Sequence, residues 1–319
     1  MQPDEQHSRW SSRSIGSKLQ HGIFYFLIRV GGRRAAYALL HCVVLYYVLF
    51  CPAQRRKGEP YLRRRFAVDS GWKLLWHSYR MILDLGKVLV DRAVVGILGP
   101  EQMQVRMHGK DKLLDLLAEN KGLILVGAHV GCWQVAMSSL GFVKVPVNLL
   151  MQREDGDIDR HYFEHAGLPC PYRIIDPRGF LGGALEMLEV LKRGEVLSVM
   201  GDRLLGSDKN AVEVDFLGGK VRVPFSAYKL ASTTGAPVAV LFSYKTGPAS
   251  YELQLARVIR VPAHLKRGGA ALVPYAAEFA GALEKFTLDH PYQFFNFFDM
   301  WQNNPTAGAK GPAEQAVKE

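Results

Sequence analysis

A histidine at the end of a buried strand is the first residue here that could do chemistry. The apolar run at residues 123–126 leads into Gly127-Ala128-His129, and a stretch of helical character follows Gly131. Such a side chain faces a cleft, and the N–H groups of the helix behind it can hold an anion. The pattern indicates a general base at His129, although a structural histidine satisfies the same pattern.

Two further strand ends carry polar side chains. Arg153 follows a predicted strand at residues 145–151, and Asp202 and Arg203 follow one at residues 196–200. Ligands of an open α/β sheet bind at the carboxyl ends of its strands. A base and two guanidinium groups gathered there suit an anionic substrate such as a phosphate. A buried Asp202–Arg203 ion pair without a chemical role is an equally good interpretation of that pair.

The cysteines indicate a reducing compartment. The four cysteines form no C-x-x-C motif and no Cys/His cluster with metal-ligand spacing, so we expect neither a disulfide framework nor a metal site. Cys132, three residues after His129, could act as a nucleophile. A small buried residue of the turn is the better interpretation, because no adjacent group is positioned to activate it.

The segments that must position these side chains alternate between strand and helix. The alternation runs from residue 105 to residue 288, after amphipathic helices at residues 61–98. It predicts an α/β fold with a mixed central sheet flanked by helices on both faces. A hairpin is predicted around Gly218-Gly219. Neither a G-x-G-x-x-G sequence nor a P-loop sequence occurs, so those motifs indicate no nucleotide binding.

The N-terminal segment carries nearly all of the net charge. Residues 1–65 hold 12 Lys and Arg against 3 Asp and Glu, whereas the remainder holds 28 against 27. Such asymmetry is typical of a nucleic-acid-binding arm or of contact with an anionic membrane. The apolar runs at residues 21–30 and 35–51 disfavour the nucleic-acid arm, which would be polar.

The same segment predicts a membrane anchor. The second apolar run, of about 17 residues, is at the short limit for a spanning helix. Basic residues flank it on both sides, which favours a helix that lies in the interface or penetrates one leaflet. A helix buried within the domain is the alternative. We predict an anchor at residues 1–58, a catalytic domain at residues 59–302 and a polar tail at residues 303–319.

The segment from His129 to Gln134 resembles the H-x4-D/E box of the lysophospholipid acyltransferase superfamily. It looks most like the branch of the late lipid A acyltransferases, of lauroyl and myristoyl type, and related predicted bacterial acyltransferases. Other segments follow that branch in order, which makes the combination specific. They are Arg33-Arg34 with residues 44–47, Gly201-Asp202-Arg203, residues 214–218, Val223-Pro224, residues 230–238 and residues 290–297.

This resemblance implies transfer of a fatty acyl group from acyl carrier protein or acyl-CoA to a hydroxyl or amine of a lipid or glycolipid acceptor. His129 would be the base, N–H groups of the following helix would hold the oxyanion, and Arg153 and Arg203 would position an anionic headgroup or donor phosphate. No metal or other cofactor is expected. The catalytic domain would lie on the cytoplasmic side of a bacterial inner membrane.

The box departs from the resembling family at its last position. Gln134 stands where the family has a carboxylate, and glutamine can orient a histidine without supplying charge. In the serine-protease triad the comparable loss of charge costs about 10⁴ in kcat. Three hypotheses follow. Asp202 partners His129, Gln134 orients it in a slower enzyme, or the protein is a non-catalytic relative that binds lipid or a partner.

Overall fold

The computed structural model describes residues 18–68, 70–134, 140–152, 172–204, 210–263, 265 and 268–301. Its N-terminal part consists of helices. These are α1 at Lys18–Phe50, α2 at Pro52–Arg56, α3 at Glu59–Phe66 and α4 at Gly71–Leu98.

Helix α1 packs along α4. Hydrogen bonds from Arg33 and Tyr37 to Asp91, and one between His41 and Tyr79, show that the two helices run antiparallel. Gly32 has a φ of 62° and interrupts α1 between the two predicted apolar runs. The side of α1 that faces α4 is lined by apolar residues, mostly one helical turn apart. These are Ile28, Ala36, Leu40, Val44 and Val48.

A mixed sheet forms the centre of the fold. Within the described ranges seven strands lie in the order β1-β9-β8-β2-β5-β3-β4. Neighbours are parallel except β8 and β9, so β9 and β1 run opposite to the others. A separate antiparallel hairpin, β6–β7, is the one predicted around Gly218. The strands are β1 Gln104–His108, β2 Leu123–Gly127, β3 Val147–Leu150, β4 Arg173–Ile175, β5 Val196–Met200, β6 Ala211–Phe216, β7 Gly219–Pro224, β8 Val238–Lys245 and β9 Ser250–Ile259.

Alternating residues of the strands contribute to two hydrophobic cores, one on each face of the sheet. Ile124 and Val126 of β2 face one side of the sheet, whereas Leu123 and Leu125 face the other. Three helices from the later part of the chain cover the first core, together with residues of α3 and α4, and one helix covers the second within the described chain. The mixed sheet with helices on both faces is therefore confirmed. The helices are α6 Ala184–Lys192, α7 Ser226–Thr234 and α8 Val273–Asp289 on the first side, and α5 Lys110–Ala118 on the second.

The chain returns to this sheet after α8. The C-terminal aromatic segment, residues 292–301, brings Phe294 and Trp301 into the first core at 0% and 2% exposure. Residue 294 also forms an isolated antiparallel bridge with Val130, just beyond β2. Helices predicted at residues 135–140 and 158–166 fall largely outside the described residues.

Candidate active site

Strand register places His129 beside Asp202. Strands β2 and β5 are parallel neighbours whose last paired residues are Gly127 and Met200. The N–H of Gly201 donates a further hydrogen bond of 2.8 Å to the Gly127 carbonyl. The backbone continues for two residues beyond the end of each strand, to His129 after β2 and to Asp202 after β5. The two side chains therefore meet at the carboxyl edge of the sheet, where ligands bind in α/β folds.

Asp202 holds the ring of His129 through one nitrogen. Nδ1 of His129 lies 2.9 Å from Oδ1 and 3.0 Å from Oδ2 of the carboxylate. The Asp202 side chain is 1% exposed, whereas the His129 side chain is 29% exposed. Burial alone raises the pKa of the Asp202 carboxyl, but His129 and Arg203 outweigh burial and hold that pKa below its ordinary value. An ionised carboxylate only accepts hydrogen bonds, so Nδ1 carries a proton, and in the neutral tautomer Nε2 then presents the lone pair.

The His129 turn (residues 128–132) requires glycine at position 131. Gly131 has a φ of +50°, and a Cβ there would lie 2.0 Å from the carbonyl oxygen of Ser243 in β8. The Ser243 hydroxyl oxygen accepts the N–H of Cys132 at 3.1 Å and donates to the Val130 carbonyl at 3.5 Å. These contacts hold the turn against β8 so closely that a side chain at position 131 would displace it.

The C-terminal aromatic segment supports the same turn from its other side. The N–H of Phe295 donates to the His129 carbonyl at 2.8 Å, and the N–H of Gly131 donates to the Gln293 carbonyl at 3.0 Å. The backbone that carries the histidine is therefore fixed by two hydrogen bonds to a segment more than 160 residues away in sequence. Buried Phe294 lies between the two bonding residues and anchors the segment.

Arg203 connects the second strand end to this segment. Its Nη2 donates to the Phe295 carbonyl at 2.7 Å, and its guanidinium lies 5.2 Å from the ring centroid of Phe298. Its Nε lies 3.8 Å from Asp202 Oδ2, and the side chain is 11% exposed. The guanidinium thus faces protein groups over most of its surface. The predicted role of Arg203 in binding substrate stays a prediction.

Gln134 contacts Cys132, the last residue of the turn. Gln134 is 4% exposed, and its Oε1 accepts from the Cys132 thiol at 3.7 Å. Cys132 is 1% exposed and packs against Val88 and Tyr251. This burial agrees with the interpretation of Cys132 as a small residue of the turn. The carboxylate that meets His129 is that of Asp202, which stands 73 residues further along the chain.

Two predicted parts of the site fall on residues whose placement is not described. Arg153 lies outside the described ranges, so its predicted contact with an anionic group stays a prediction. The helix after the turn is described only at its beginning, Trp133 and Gln134. Among the described side chains, no group of three or more His, Cys, Asp or Glu residues could hold a metal ion.

A small apolar cavity adjoins the turn on the second face of the sheet. It lies between the ends of β2, β3, β5, β8 and β9, and its wall is almost entirely aliphatic, aromatic and thioether groups. Such a wall suits hydrocarbon and excludes charge. The cavity is lined by Leu125, Gly127, Ala128, Val130, Trp133, Leu149, Ser198, Met200, Leu241, Ser243 and Leu253.

Two residues that contact the turn were not among the predicted site residues. Ser243 lies within a buried strand, where nothing in the local sequence marks it as part of a site. Gln293 stands inside the C-terminal segment that carries the family resemblance, and a polar residue between aromatic neighbours there was a usable signal.

A histidine held by a buried carboxylate at the carboxyl edge of a mostly parallel sheet is typical of α/β enzymes that take a proton from a bound nucleophile. Comparison with protein families defines the class further. The family model described as bacterial lipid A biosynthesis acyltransferase matches residues 80–303. The chain belongs to this family, and it is accordingly a lipid acyltransferase.

The chain also has a distant likeness to a solved acyltransferase structure. This is the crystal structure of the 1-acyl-sn-glycerophosphate acyltransferase PlsC from Thermotoga maritima, at 15% sequence identity and a TM-score of 0.36. The match covers 80% of this chain and 98% of that one. A search of curated proteins gave no match.

Proposed function

We propose that this enzyme moves a fatty acyl group from a thioester of acyl carrier protein or CoA to a hydroxyl or amine of a lipid or glycolipid, with His129 as general base. The observation that carries the proposal is the contact of His129 Nδ1 with the buried Asp202 carboxylate at 2.9 Å. The family's description makes a lipid A precursor the first acceptor to test. An aryl-polyene-type glycolipid or an amino-acid lipid has the same reacting groups.

The reaction follows from the state of the two side chains. The Nε2 lone pair of His129 takes the proton of the acceptor's hydroxyl or amine group. The oxygen or nitrogen of that group attacks the thioester carbonyl at the same time. The C–S bond then breaks, and the imidazolium returns the proton to the departing thiolate. Asp202 stabilises the imidazolium between these two transfers. A placed base contributes about 10²–10⁴ in rate, and the step as written needs no metal or other cofactor.

Backbone groups and the apolar cavity complete the proposed site. The oxyanion needs N–H donors beside the turn, and the helix that begins at Trp133 offers its first amides. The N–H of Cys132 is bonded to Ser243, so it holds the turn. The cavity beside Met200 suits the first carbons of the acyl chain. Arg153 is the proposed partner for a phosphate of the donor or acceptor.

The non-catalytic alternative depended on the loss of the family carboxylate at Gln134. Asp202 supplies a carboxylate to the same histidine from the neighbouring strand end. The premise of the alternative is therefore weakened, and no contact among the described residues favours a protein that only binds lipid.

We also propose that the N-terminal helices attach the enzyme to the cytoplasmic face of a bacterial inner membrane. Helix α1 is the one described helix that is long and apolar enough to cross a membrane. Its outward side exposes large apolar residues, and basic residues of α2 and α3 follow it, as suits anionic headgroups. The exposed apolar side chains include Leu45, Tyr46, Leu49 and Phe50 of α1 and Trp72 and Trp76 of α4.

Arg33 supports a helix in the interface over a spanning one. It lies near the middle of α1 and bonds to Asp91, which is 0% exposed. Moving Arg33 to the centre of a bilayer would cost at least about 2.5 kcal/mol. It would also leave Asp91 short of a partner, and breaking a buried pair costs about 3–5 kcal/mol.

The catalytic proposal is tested with the full chain in detergent. Loss of lauroyl and myristoyl thioesters of CoA and of acyl carrier protein, with a lipid A precursor as acceptor, is measured for wild type, His129→Ala and a control, His108→Ala. His108 is half-exposed on β1 and bonds only to Glu252 among described groups. We expect His129→Ala to lower kcat by at least about 100-fold. Turnover unchanged in His129→Ala would refute the mechanism.

A further inference from the structure

The segment that holds the backbone of the His129 turn is fastened to β8 by one of its own side chains, Gln293. Gly131 and Phe295 form the two hydrogen bonds that join the turn to residues 293–295. The Gln293 amide then fastens this segment to the end of β8. Its Oε1 accepts the N–H of Lys245 at 2.7 Å, and its Nε2 donates to the Lys245 carbonyl at 2.9 Å. Both polar ends of the amide are therefore used on one backbone residue.

Lys245 is fixed in turn by a buried carboxylate. Its Nζ donates to Asp91 Oδ2 at 2.5 Å and to the Pro248 carbonyl at 2.7 Å. The side chain of Lys245 is 11% exposed, and that of Asp91 is 0% exposed. A buried charge without partners costs several kcal/mol, so this contact constrains where the end of β8 can lie.

The same carboxylate binds the N-terminal helix. Asp91 Oδ1 accepts from Arg33 Nε at 2.9 Å and from the Tyr37 hydroxyl at 2.7 Å. Oδ2 also accepts from the Tyr251 hydroxyl at 2.6 Å. One carboxylate of α4 thus joins α1, β8 and β9. We call these five residues, Arg33, Tyr37, Asp91, Lys245 and Tyr251, the Asp91 cluster.

We propose that Gln293 is a positioning residue for the His129 turn, and that the Asp91 cluster fixes Gln293 through Lys245. The docking of α1 on the domain then helps to set the place of the catalytic histidine. The inference rests on the proposed role of His129. Its physical reason is that a base displaced by about 1 Å loses on the order of 100-fold in rate although substrate still binds.

The test replaces Gln293 with methionine, which keeps the side-chain length and removes both hydrogen bonds. Hydrogen exchange of single amides is measured together with kcat and KM for lauroyl and myristoyl thioesters, in the full chain in detergent. The matched control is Asn148→Ala. Asn148 is a buried amide that bonds to Glu195 and Val196 at the amino end of β5, away from the turn.

We expect the amides of Gly131 and Phe295 to exchange at least about tenfold faster in Gln293→Met, with β2 amides unchanged. We expect kcat to fall by about 10- to 100-fold at constant donor KM. Asn148→Ala should lower the melting temperature while the two amides stay protected. Wild-type exchange and kcat in Gln293→Met would overturn the proposal, as would equal acceleration of every amide.

A second variant keeps the proposal testable if the first does not fold. Lys245→Met retains the backbone that Gln293 binds and removes the bond to Asp91, so the same two amides should lose protection. Protection equal to wild type in Lys245→Met would overturn the role of the Asp91 cluster. The exchange measurement needs no turnover, so it decides the positioning of the turn even if His129→Ala proves active and the proposed chemistry fails.

Discussion

Replacing Asp202 with asparagine tests the central contact most directly. The change keeps the shape of the side chain and removes its charge, 2.9 Å from His129 Nδ1. The amide can face the ring in two ways. Its oxygen can still accept the Nδ1 proton, but its NH2 group would donate to Nδ1 and move the ring proton to Nε2, which abolishes the base.

These two orientations set the lower and upper limits of the expected loss of kcat. With the oxygen facing the ring, the loss is that of the charge that stabilises the imidazolium. With the NH2 group facing the ring, the wrong tautomer brings the loss toward the roughly 10⁴ known for the serine-protease triad. We expect kcat to fall by about 10²–10⁴, which corresponds to about 3–5 kcal/mol in the barrier.

The assay is thioester loss under saturating donor, with folding checked on the same sample. Asp202→Asn also leaves Arg203, whose Nε lies 3.8 Å from the carboxylate, with less compensation. We expect the free energy of unfolding to fall by on the order of 3 kcal/mol. The melting temperature and the far-UV circular dichroism spectrum must therefore be measured with each rate. The control is Asp215→Asn, whose side chain is 79% exposed beside Lys220. It should keep wild-type kcat within about twofold.

A folded Asp202→Asn enzyme with kcat within about fivefold of wild type would refute the assigned role of Asp202. A second test uses residue 134, the last position of the H-x4-D/E box. We expect Gln134→Glu to give no recovery in the Asp202→Asn background, because Nδ1 of His129 faces residue 202 at 2.9 Å. Recovered activity in the double variant would place residue 134 against the ring and transfer the orienting role to it.

Three further predictions concern the turn, acid stability and the membrane. Gly131→Ala should lower the free energy of unfolding by about 2–4 kcal/mol through its clash with β8 and abolish turnover, whereas Gly141→Ala, with no heavy atom within 4 Å, should change little in urea titration. The depressed pKa of Asp202 gives stability that is fully present above its unfolded pKa of about 3.9 and is lost as pH falls through the lower folded pKa. The urea midpoint should therefore fall on acidification below about pH 4, and less so in Asp202→Asn. Trp72→Ala combined with Trp76→Ala should weaken flotation with vesicles that contain phosphatidylglycerol, and unchanged flotation would exclude the start of α4 from the membrane contact.

The fold was predictable because its strands are buried on both faces. Strand β5 appears in the sequence as an apolar stretch interrupted only by Ser198, and its predicted bounds at residues 196–200 are those of the structure. The break at Gly32 likewise follows from a positive φ that glycine adopts without strain. Local composition determined both features, so no knowledge of distant contacts was needed.

The pairing of His129 with Asp202 needed information that local sequence lacks. Both residues were predicted at strand ends, yet β3 and β4 lie between β2 and β5 in the chain while β5 lies directly beside β2 in the sheet. Strand order is decided by how the helices pack on the two faces. The register then aligns residues 129 and 202, and a shift of two residues would separate them. Asp202 therefore remained one of three hypotheses until the sheet order was known.

The Asp91 cluster is marked in the sequence by charged residues that stand within apolar stretches of two helices. Asp91 stands among Val88, Val90 and Val94 on the buried face of α4, and Arg33 interrupts an apolar helix. A buried ionised side chain must find partners, so an acid on the buried face of one helix and a base within an apolar helix predict each other. In the sequence Arg33 lies between the two apolar runs at residues 21–30 and 35–51. Its bond to Asp91 gives it a structural role, because the charge that interrupts the helix is what joins that helix to the catalytic domain.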